Sequence, residues 1–567
     1  MNGDHVHRVR ELIDEGIRLD LIGEYNSALK RFGEALDLSK ACGEDSLTAE
    51  AQRRTGHIFS KRGEWSAALD HYTNSLEVAE SARDELAVAY AMCAMGTVHL
   101  ERGEWEKVKS CYEKALQIAT ARQEHKLRAQ LFNNLGAMYN ILGEWKEAIC
   151  CYEKSIPLLR TMRNLRGLAE TYNNIGMTYR DKDDLPTANR YFKKSLEMAR
   201  STGDIRLTAT INLNRAEASL KLNELEEARE RCEEAFEILN RIKDKLGIAE
   251  ALKLYGIIYR EMQKYSLSLY HLNESVRINT ECHNPLGVAE SLREEGLLYQ
   301  ARGDSKEALA ALGKSFQAFR DLKARKYLED VDKKIYELEE IYFNIAQSMG
   351  EAVESKDTYT YGHSQRVASY AMELAEQLDL DEEQKKTILL AAFLHDLGKV
   401  KVPKRILSKP DRLTEEEFAE IKKHPGWGLE KLANIDFPWE VKPLIIHHHE
   451  RYNGQGYPEG LAGVEIPFGA RLIALCDFFD ALTTDRPYRP ALSIKQAISI
   501  MKKEAGQILD PGLTPLFVRI IENKVKDATP NGGEDYEEFI SLWNKSAAKR
   551  MKGFEGGKNL KITGLAS

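Results

Sequence analysis

Apolar and polar positions repeat through the first half of the chain with a step of 40 residues. A glycine stands at Gly16, Gly56, Gly96, Gly136, Gly176, Gly256 and Gly296, and Ala216 fills the one gap. A turn follows in register at Gly23-Glu24-Tyr25, Gly63-Glu64-Trp65, Gly103-Glu104-Trp105 and Gly143-Glu144-Trp145. Looser versions occur at Asp183, Asn223, Gln263 and Gly303. Small residues come next (Ala28, Ala68, Ala148, Ala188, Ala228, Ala308), then an aromatic at Phe32, Tyr72, Tyr112, Tyr152 and Phe192. Each unit reads as helix, turn, helix. The small residues let two helices approach closely and the aromatics fill the groove between them. One unit cannot bury its apolar face alone, so the eight units are expected to stack into a superhelix over residues 8–322.

The pattern then changes. Leu328, Val331, Ile335, Leu338, Tyr342, Ile345 and Met349 alternate steps of three and four, with charged residues between them. Such a heptad seam expects a partner helix, either the last repeat or a second copy in a homodimer. Residues 323–350 are thus a helical connector, and residues 351–525 read as a second helical domain with short loops. Asp379 or Asp381 starts a helix that carries the apolar run Leu389–Leu394 into His395-Asp396. Thr414 with Glu415, Glu416 and Glu417 reads as an N-cap with acids in the first turn. The helix after it is expected to end near His424-Pro425. Pro443 opens a helix presenting His447, His448 and His449, and Arg471 to Leu482 forms an apolar helix carrying Asp477 and Asp480. The fold class is all-α. Residues 526–567 form an extension, with the part from Ala547 onward expected to lack order.

Composition adds exclusions. With 43% hydrophobic and 30% charged residues, the 567-residue chain has the balance of a soluble protein of more than one domain. A net charge of -8 argues against a general binder of nucleic-acid polymers. No apolar run has the length of a membrane span, and the start lacks a signal-peptide core. The eight cysteines form no CxxC pair and read as reduced thiols of a cytoplasmic protein.

The 40-residue units resemble tetratricopeptide repeats in a long form. The resemblance implies a concave surface for a protein or peptide partner. Trp65, Trp105 and Trp145 read as core at turn-to-helix junctions. Asn133, Asn134, Asn173, Asn174 and Asn214 form a polar row that is expected to meet the backbone of a bound peptide.

A buried helix has no cheap use for an adjacent His-Asp pair unless the pair is bonded or binds metal. His363, His424, His447, His448, His449 and Asp477 place further ligand-type residues among helical apolar runs. Imidazole with carboxylate suits iron, manganese or zinc. Tyr361-Gly362-His363-Ser364, His395-Asp396 with Gly398-Lys399, His424-Pro425, His448-His449-Glu450, Gly456-Tyr457-Pro458, Asp477 with Asp480-Ala481-Leu482, and Arg486-Pro487-Tyr488-Arg489 resemble, in this order, the HD-GYP domain of the HD phosphohydrolase superfamily. The resemblance implies a metal-dependent phosphodiesterase that opens cyclic di-GMP to pGpG, and in some members carries it on to GMP. It implies one divalent ion at His363, His395, Asp396 and Asp477. It implies a second at His424, His448 and His449, with Asp396 shared and iron or manganese as the metal. Lys399 would stabilise charge on the attacked phosphate. Arg486 and Arg489 would contact phosphate, and Gly456, Tyr457 and Pro458 would form a rim where Tyr457 stacks on guanine and Gly456 lets backbone come close. His447, one place ahead of the family's pair, is expected to be a packing residue. Some members hold a third metal with a Glu four residues before the first His. Tyr359 stands there in this chain, which implies a dinuclear site and favours stopping at pGpG. Two alternatives are a different cyclic dinucleotide or phosphoester as substrate, and a signalling adaptor that does no chemistry.

Overall fold

A computed structural model describes residues 2–21, 23–354, 362–435, 437–486 and 489–528. Tyr359, Tyr361, Pro487, Tyr488 and the segment from 529 onward lie outside these, so the expectations placed on them are not addressed. The chain divides into two compact units, Met1–Asp332 and Lys333–Ser567. Among the described residues no helix is long and apolar enough to cross a membrane.

The first unit is built from helix pairs. They are α1 (Asn2–Leu21) and α2 (Tyr25–Cys42), α3 (Asp45–Lys61) and α4 (Trp65–Ser81), α5 (Glu85–Arg102) and α6 (Trp105–Ala121), and α7 (His125–Ile141) and α8 (Trp145–Thr161). There follow α9 (Leu165–Asp181) and α10 (Leu185–Ser201), α11 (Ile205–Lys221) and α12 (Leu225–Arg241), α13 (Lys245–Glu261) and α14 (Tyr265–Glu281), and α15 (Pro285–Arg302) and α16 (Ser305–Asp321). Asp84, Asn164, Asp204, Asp244 and Asn284 cap first helices by accepting a backbone N–H. The register of glycine and aromatic has a steric cause. A Cβ at Gly56 would lie 2.7 Å from the Tyr72 ring, and one at Gly136 would lie 2.5 Å from the Tyr152 ring. The glycine of each first helix is the seat of the side chain sixteen residues later, a ring in the first five repeats and a leucine (Leu272, Leu312) opposite Gly256 and Gly296. Where Ala216 replaces it, the residue sixteen later is the smaller Cys232, so the methyl group fits. The looser turns keep the same backbone, because Asp183, Asn223 and Gln263 take φ of 63°, 59° and 58° where earlier repeats use glycine.

The superhelix meets itself after one turn. A Cβ on Gly63 would sit 3.3 Å from Cβ of Leu286 at the start of α15. The Tyr327 hydroxyl, in α17 (Arg325–Glu354), lies 3.5 Å from a carboxylate oxygen of Glu101 on α5. The asparagine row differs from its expectation. Asn133 Nδ2 donates to Thr171 Oγ1 (2.9 Å) and Asn214 Nδ2 donates to Asn173 Oδ1 (2.9 Å), so these amides tie one repeat to the next.

The connector seam is divided between the two units. Val331 is buried at the end of the first, and Leu338 and Tyr342 at the start of the second, where Tyr342 packs on Phe437 (5.6 Å) and Trp439 (6.0 Å). Leu328, Ile335, Ile345 and Met349 of the same seam are half-buried.

The second unit continues with α18 (His363–Ala375), α19 (Glu382–Leu394), a 3-10 turn (Leu397–Lys401), α20 (Lys404–Leu407) and α21 (Glu415–Ile421). It closes with α22 (His424–Lys431), α23 (Lys442–His447), a 3-10 turn (Gly463–Glu465), α24 (Phe468–Thr483), α25 (Ile494–Glu504) and α26 (Leu513–Ala528). Asp381 and Thr414 form capping boxes that start α19 and α21. His424 is the first residue of α22, not the end of the preceding helix. α21 stops at Ile421, and Pro425, which has no N–H to donate, is tolerated in the first turn of a new helix.

Candidate metal centre

Four helices end or begin at one point, and a fifth passes it. His363 opens α18, His395 and Asp396 follow the last turn of α19, His424 opens α22, His448 and His449 follow α23, and Asp477 lies inside α24. The helix ends leave carbonyls without intrahelical partners, and the histidines use them. His395 Nδ1 donates to the carbonyl of Ala392 (2.7 Å), His424 Nδ1 to that of Ile421 (2.8 Å), and His448 Nδ1 to that of Ile445 (2.6 Å). A carbonyl only accepts, so in each ring the proton sits on Nδ1 and the bare lone pair of Nε2 points inward.

These lone pairs face one another. His424 Nε2 and His448 Nε2 are 3.4 Å apart, with no proton between them. His395 Nε2 is buried without a hydrogen-bond partner, as is Asp396 Oδ1. A cation is what such an arrangement lacks, and the donors fit one. Asp396, His424, His448 and His449 offer ligand atoms all within 4.8 Å of one another, and His363, His395 and Asp477 form a second such group. Asp396 lies between the groups. Its Oδ1 is 3.4 Å from His424 Nε2, and its Oδ2 is 3.5 Å from His395 Nε2 and 3.6 Å from His363 Nε2.

Electrostatics prepares the ligands. Burial holds His424 down to about 3 and His449 down to about 4, so both are neutral and ready to donate. Burial opposes the charge on Asp396, but the Lys399 ammonium first of all, with the protonated His363 also beside it, outweighs this and holds the carboxyl well below its usual range. His363 is the exception. Burial would lower it, but hydrogen bonds and charge from Asp477 and Asp480 push it up to about 9. Its proton therefore competes with metal at Nε2. The sign follows from the shift. In the metal-free protein this protonated pair stabilises the fold fully below the ordinary value near 6.5, and that contribution is lost as pH rises through about 9. Metal must displace one proton in this window, so affinity should rise about tenfold per pH unit between roughly 6.5 and 9 and then level off. Isothermal titration at four pH values checks it, and a flat profile would remove His363 from the ligand set.

Behind the donors lies a buried relay. His363 Nδ1 donates to Asp480 Oδ2 (2.7 Å), and Arg366 Nε donates to Asp480 Oδ1 (2.7 Å). Glu354, the last residue of α17, accepts the N–H groups of Gly362 and Ser364 (both 2.6 Å) and so anchors the start of α18. Asp480 and Arg366 were visible in the sequence without a role, although each stands three residues after a donor and so on the same helical face. Glu354 carries no comparable signal.

Residues 347–513 match the HD domain family, and residues 85–161, 127–201 and 207–281 match the tetratricopeptide repeat family. A second tetratricopeptide pattern matches residues 55–86. Residues 347–513 are an HD domain, and its ordered motifs are those of the HD-GYP branch. The chain is 39% identical to the cyclic di-GMP phosphodiesterase response regulator RpfG of Xanthomonas campestris pv. campestris, over 32% of this chain and 49% of the relative. It is 39% identical to 3'3'-cGAMP-specific phosphodiesterase 1 of Vibrio cholerae serotype O1, over 30% of this chain and 39% of the relative. It is 30% identical to a cyclic di-GMP phosphodiesterase of Thermotoga maritima, over 37% of this chain and 63% of the relative. The chain thus spans between 39% and 63% of the length of these relatives.

In the HD domain a cavity of ≈ 330 Å³ opens onto the donors, and Lys399, Tyr457, Asp477 and Arg486 line it. Lys399 belongs to the 3-10 turn and places its ammonium 2.6 Å from Asp396 Oδ2. Tyr457 lies over His449, with ring centroids 4.9 Å apart, and Pro458 is exposed outside the cavity wall. His447 belongs to neither donor group.

Two residues expected at the substrate are engaged by the protein itself. Arg489 turns away from the cavity. Its guanidinium donates to the carbonyls of Ala481 (2.7 Å), Leu482 (3.2 Å) and Pro490 (3.0 Å), because α24 ends there with open acceptors. Gly456 is required by the chain's own backbone, since a Cβ there would run into the amide of Arg451 and Cα of Glu450. Arg489→Gln should therefore cost about 1–3 kcal/mol of stability with KM unchanged. Arg486→Ala should leave the melting temperature in place and raise KM about tenfold. Melting curves and steady-state kinetics on both variants test the division.

The glycine beside the donor pair is also tightly held. A Cβ on Gly398 would run into the His424 carbonyl and approach the Gly428 amide to 2.6 Å. Gly398→Ala should push α22 away from the turn, cost about 1–3 kcal/mol or more, and separate His424 from Asp396. Metal analysis showing full occupancy in this variant would contradict that coupling.

Proposed function

We propose that the chain is a metal-dependent phosphodiesterase that hydrolyses cyclic di-GMP to pGpG, with control exerted by a peptide or protein on its repeats. The observation that carries the reading is Asp396, whose two oxygens face two separate groups of inward lone pairs. One divalent ion would be held by His363, His395, Asp396 and Asp477, and the other by Asp396, His424, His448 and His449. Mixed imidazole and carboxylate donors favour iron or manganese. When bound, the pair supplies Lewis acidity toward the phosphoryl oxygens and lowers the pKa of the attacking water.

The protein's own groups do the rest. Asp480 holds His363 in one tautomer, with Nε2 toward the ion. Lys399 and Arg486 set two cations at the cavity, where an anionic phosphodiester needs its charge balanced. Tyr457 sets one wall. The relatives include enzymes named for cyclic di-GMP and for 3'3'-cGAMP, so both dinucleotides are candidates.

The test is anaerobic purification with metal analysis, then turnover of cyclic di-GMP and 3'3'-cGAMP side by side. Two ions per chain and pGpG release support the proposal. Preference for 3'3'-cGAMP keeps the chemistry and changes the substrate. Two ions with neither dinucleotide turned over moves the reading to another phosphoester, and a metal-free protein moves it to the adaptor.

A further inference from the structure

The superhelix encloses a second cavity, far larger than the first, at ≈ 1050 Å³. The first helices α3, α5 and α7 line it, and Leu286 and Tyr327 close it from across the superhelical turn. Its charge is uneven. Arg53 and Arg54 stand side by side on α3 and share one carboxylate. Arg54 Nη2 is 3.3 Å from Glu50 Oε1, and Arg53 Nη2 is 3.6 Å from the same oxygen. Arg54 Nε is buried without a hydrogen-bond partner. Two guanidinium groups carry ten N–H donors between them, which one carboxylate cannot satisfy.

The other acids on this wall are engaged. Asp84 accepts the Ala87 amide (3.0 Å) and the Ser46 hydroxyl (2.8 Å). Glu101 lies 3.5 Å from the Tyr327 hydroxyl. Lys61 is paired with Asp20 (2.6 Å), and Lys126 adds a further cation to the wall. An enclosed surface with spare, paired guanidinium groups suits a planar anion with two oxygens.

We propose that this lumen binds an acidic peptide, with a peptide carboxylate held by Arg53 and Arg54. Two features favour a peptide over a nucleotide. A base stacks best on an open aromatic face; here one face of Tyr90 is covered by the Arg53 guanidinium at 5.1 Å, Trp65 and Tyr72 are each only 2% exposed, and the exposed ring on the wall is the small imidazole of His57. The wall also presents the amide of Gln130, which matches peptide backbone, whereas Asn134 Nδ2 donates to Cys93 Sγ (3.6 Å). Tyr327 belongs to the first turn of α17, so an occupant of the lumen touches the helix that leads out of the repeats. The proposal rests on the reading of the repeats as a receptor and is independent of the metal centre.

The test uses full-length protein and three pentapeptide pools: amidated peptides with one Asp, free-acid peptides with Asn in its place, and amidated peptides with Asn. Retained peptides are identified by mass spectrometry and titrated calorimetrically. Retention from one or both acidic pools and none from the neutral pool supports the proposal, and the pool retained tells side chain from chain terminus. The variant Arg53→Gln with Arg54→Gln should weaken binding about tenfold or more. Ala94→Trp narrows the lumen while keeping both arginines and should abolish binding, which keeps the test open if the double variant melts early. Equal retention of neutral peptides, no retention from any pool, or displacement of the peptide by GMP would each overturn it. None of these readouts depends on metal or turnover, so failure here leaves the phosphodiesterase reading standing.

Discussion

Asp396→Asn is expected to lower cyclic-dinucleotide turnover by about 10³-fold or more, the scale of losing a principal electrostatic contributor, and to strip metal from the protein. The residue is buried, with one oxygen 3.4 Å from His424 Nε2 and the other 3.5 Å from His395 Nε2. Asparagine keeps the shape but replaces one acceptor with an N–H₂ donor, so one of the two groups loses its shared oxygen. It also leaves the Lys399 ammonium, now 2.6 Å from Asp396 Oδ2, without its counter-ion. The fold should survive, because the substitution preserves volume. In metal-free protein the wild-type carboxyl is held well below its usual range, so it contributes stability above the ordinary carboxylate pKa, and that contribution is lost as pH falls. The variant should therefore show a flatter acid dependence of its melting temperature. Metal analysis, product chromatography and melting curves read all three effects. Full metal content with wild-type turnover would remove Asp396 from the shared position.

Asp480→Ala carries the second large effect, although Asp480 belongs to neither donor group. The residue is fully buried and joins His363 Nδ1 (2.7 Å) to Arg366 Nε (2.7 Å). Removing one partner of a buried ion pair strands the other charge, at a cost of about 3–5 kcal/mol. It also frees the His363 ring, and loss of such an outer partner costs roughly 10–100-fold in metal affinity or activity. Asp480→Asn keeps an acceptor for the His363 N–H and should retain more of the metal affinity. If the alanine variant lost stability while binding metal as tightly as the parent, the relay would be structural alone.

The repeat array was readable because its cause is local and repeated. Each glycine at the 40-residue step answers a large side chain sixteen residues later, an aromatic or a leucine, and even the exception at Ala216 is matched by the smaller Cys232. The donor types of the metal centre were readable for a similar reason, since a histidine or carboxylate inside an apolar run is costly without a partner. The sequence left two uses open for Arg489 and Gly456, since a surface arginine can meet phosphate or a helix end, and a loop glycine can admit a ligand or the chain's own backbone. Here the end of α24 claims the arginine and the Glu450-Arg451 backbone claims the glycine. The heptad seam left its cover open in the same way. The spacing demands burial of Leu338 and Tyr342 without naming what covers them, and Phe437 and Trp439 do so for Tyr342.

The amino-acid sequence by itself determined the helical periodicities, the stacking unit and the inventory of imidazoles and carboxylates. Backbone hydrogen bonding imposes those periods within a few residues, and solvation energy alone makes buried donors conspicuous. Only the tertiary structure decided which donors share a group, which nitrogen of each ring carries the proton, and that Asp480 and Glu354 stand behind them. Those facts depend on helix ends brought together from α17 to α24, across more than a hundred residues of chain. The lumen of the repeats depends in the same way on α3 and α15 meeting after one superhelical turn.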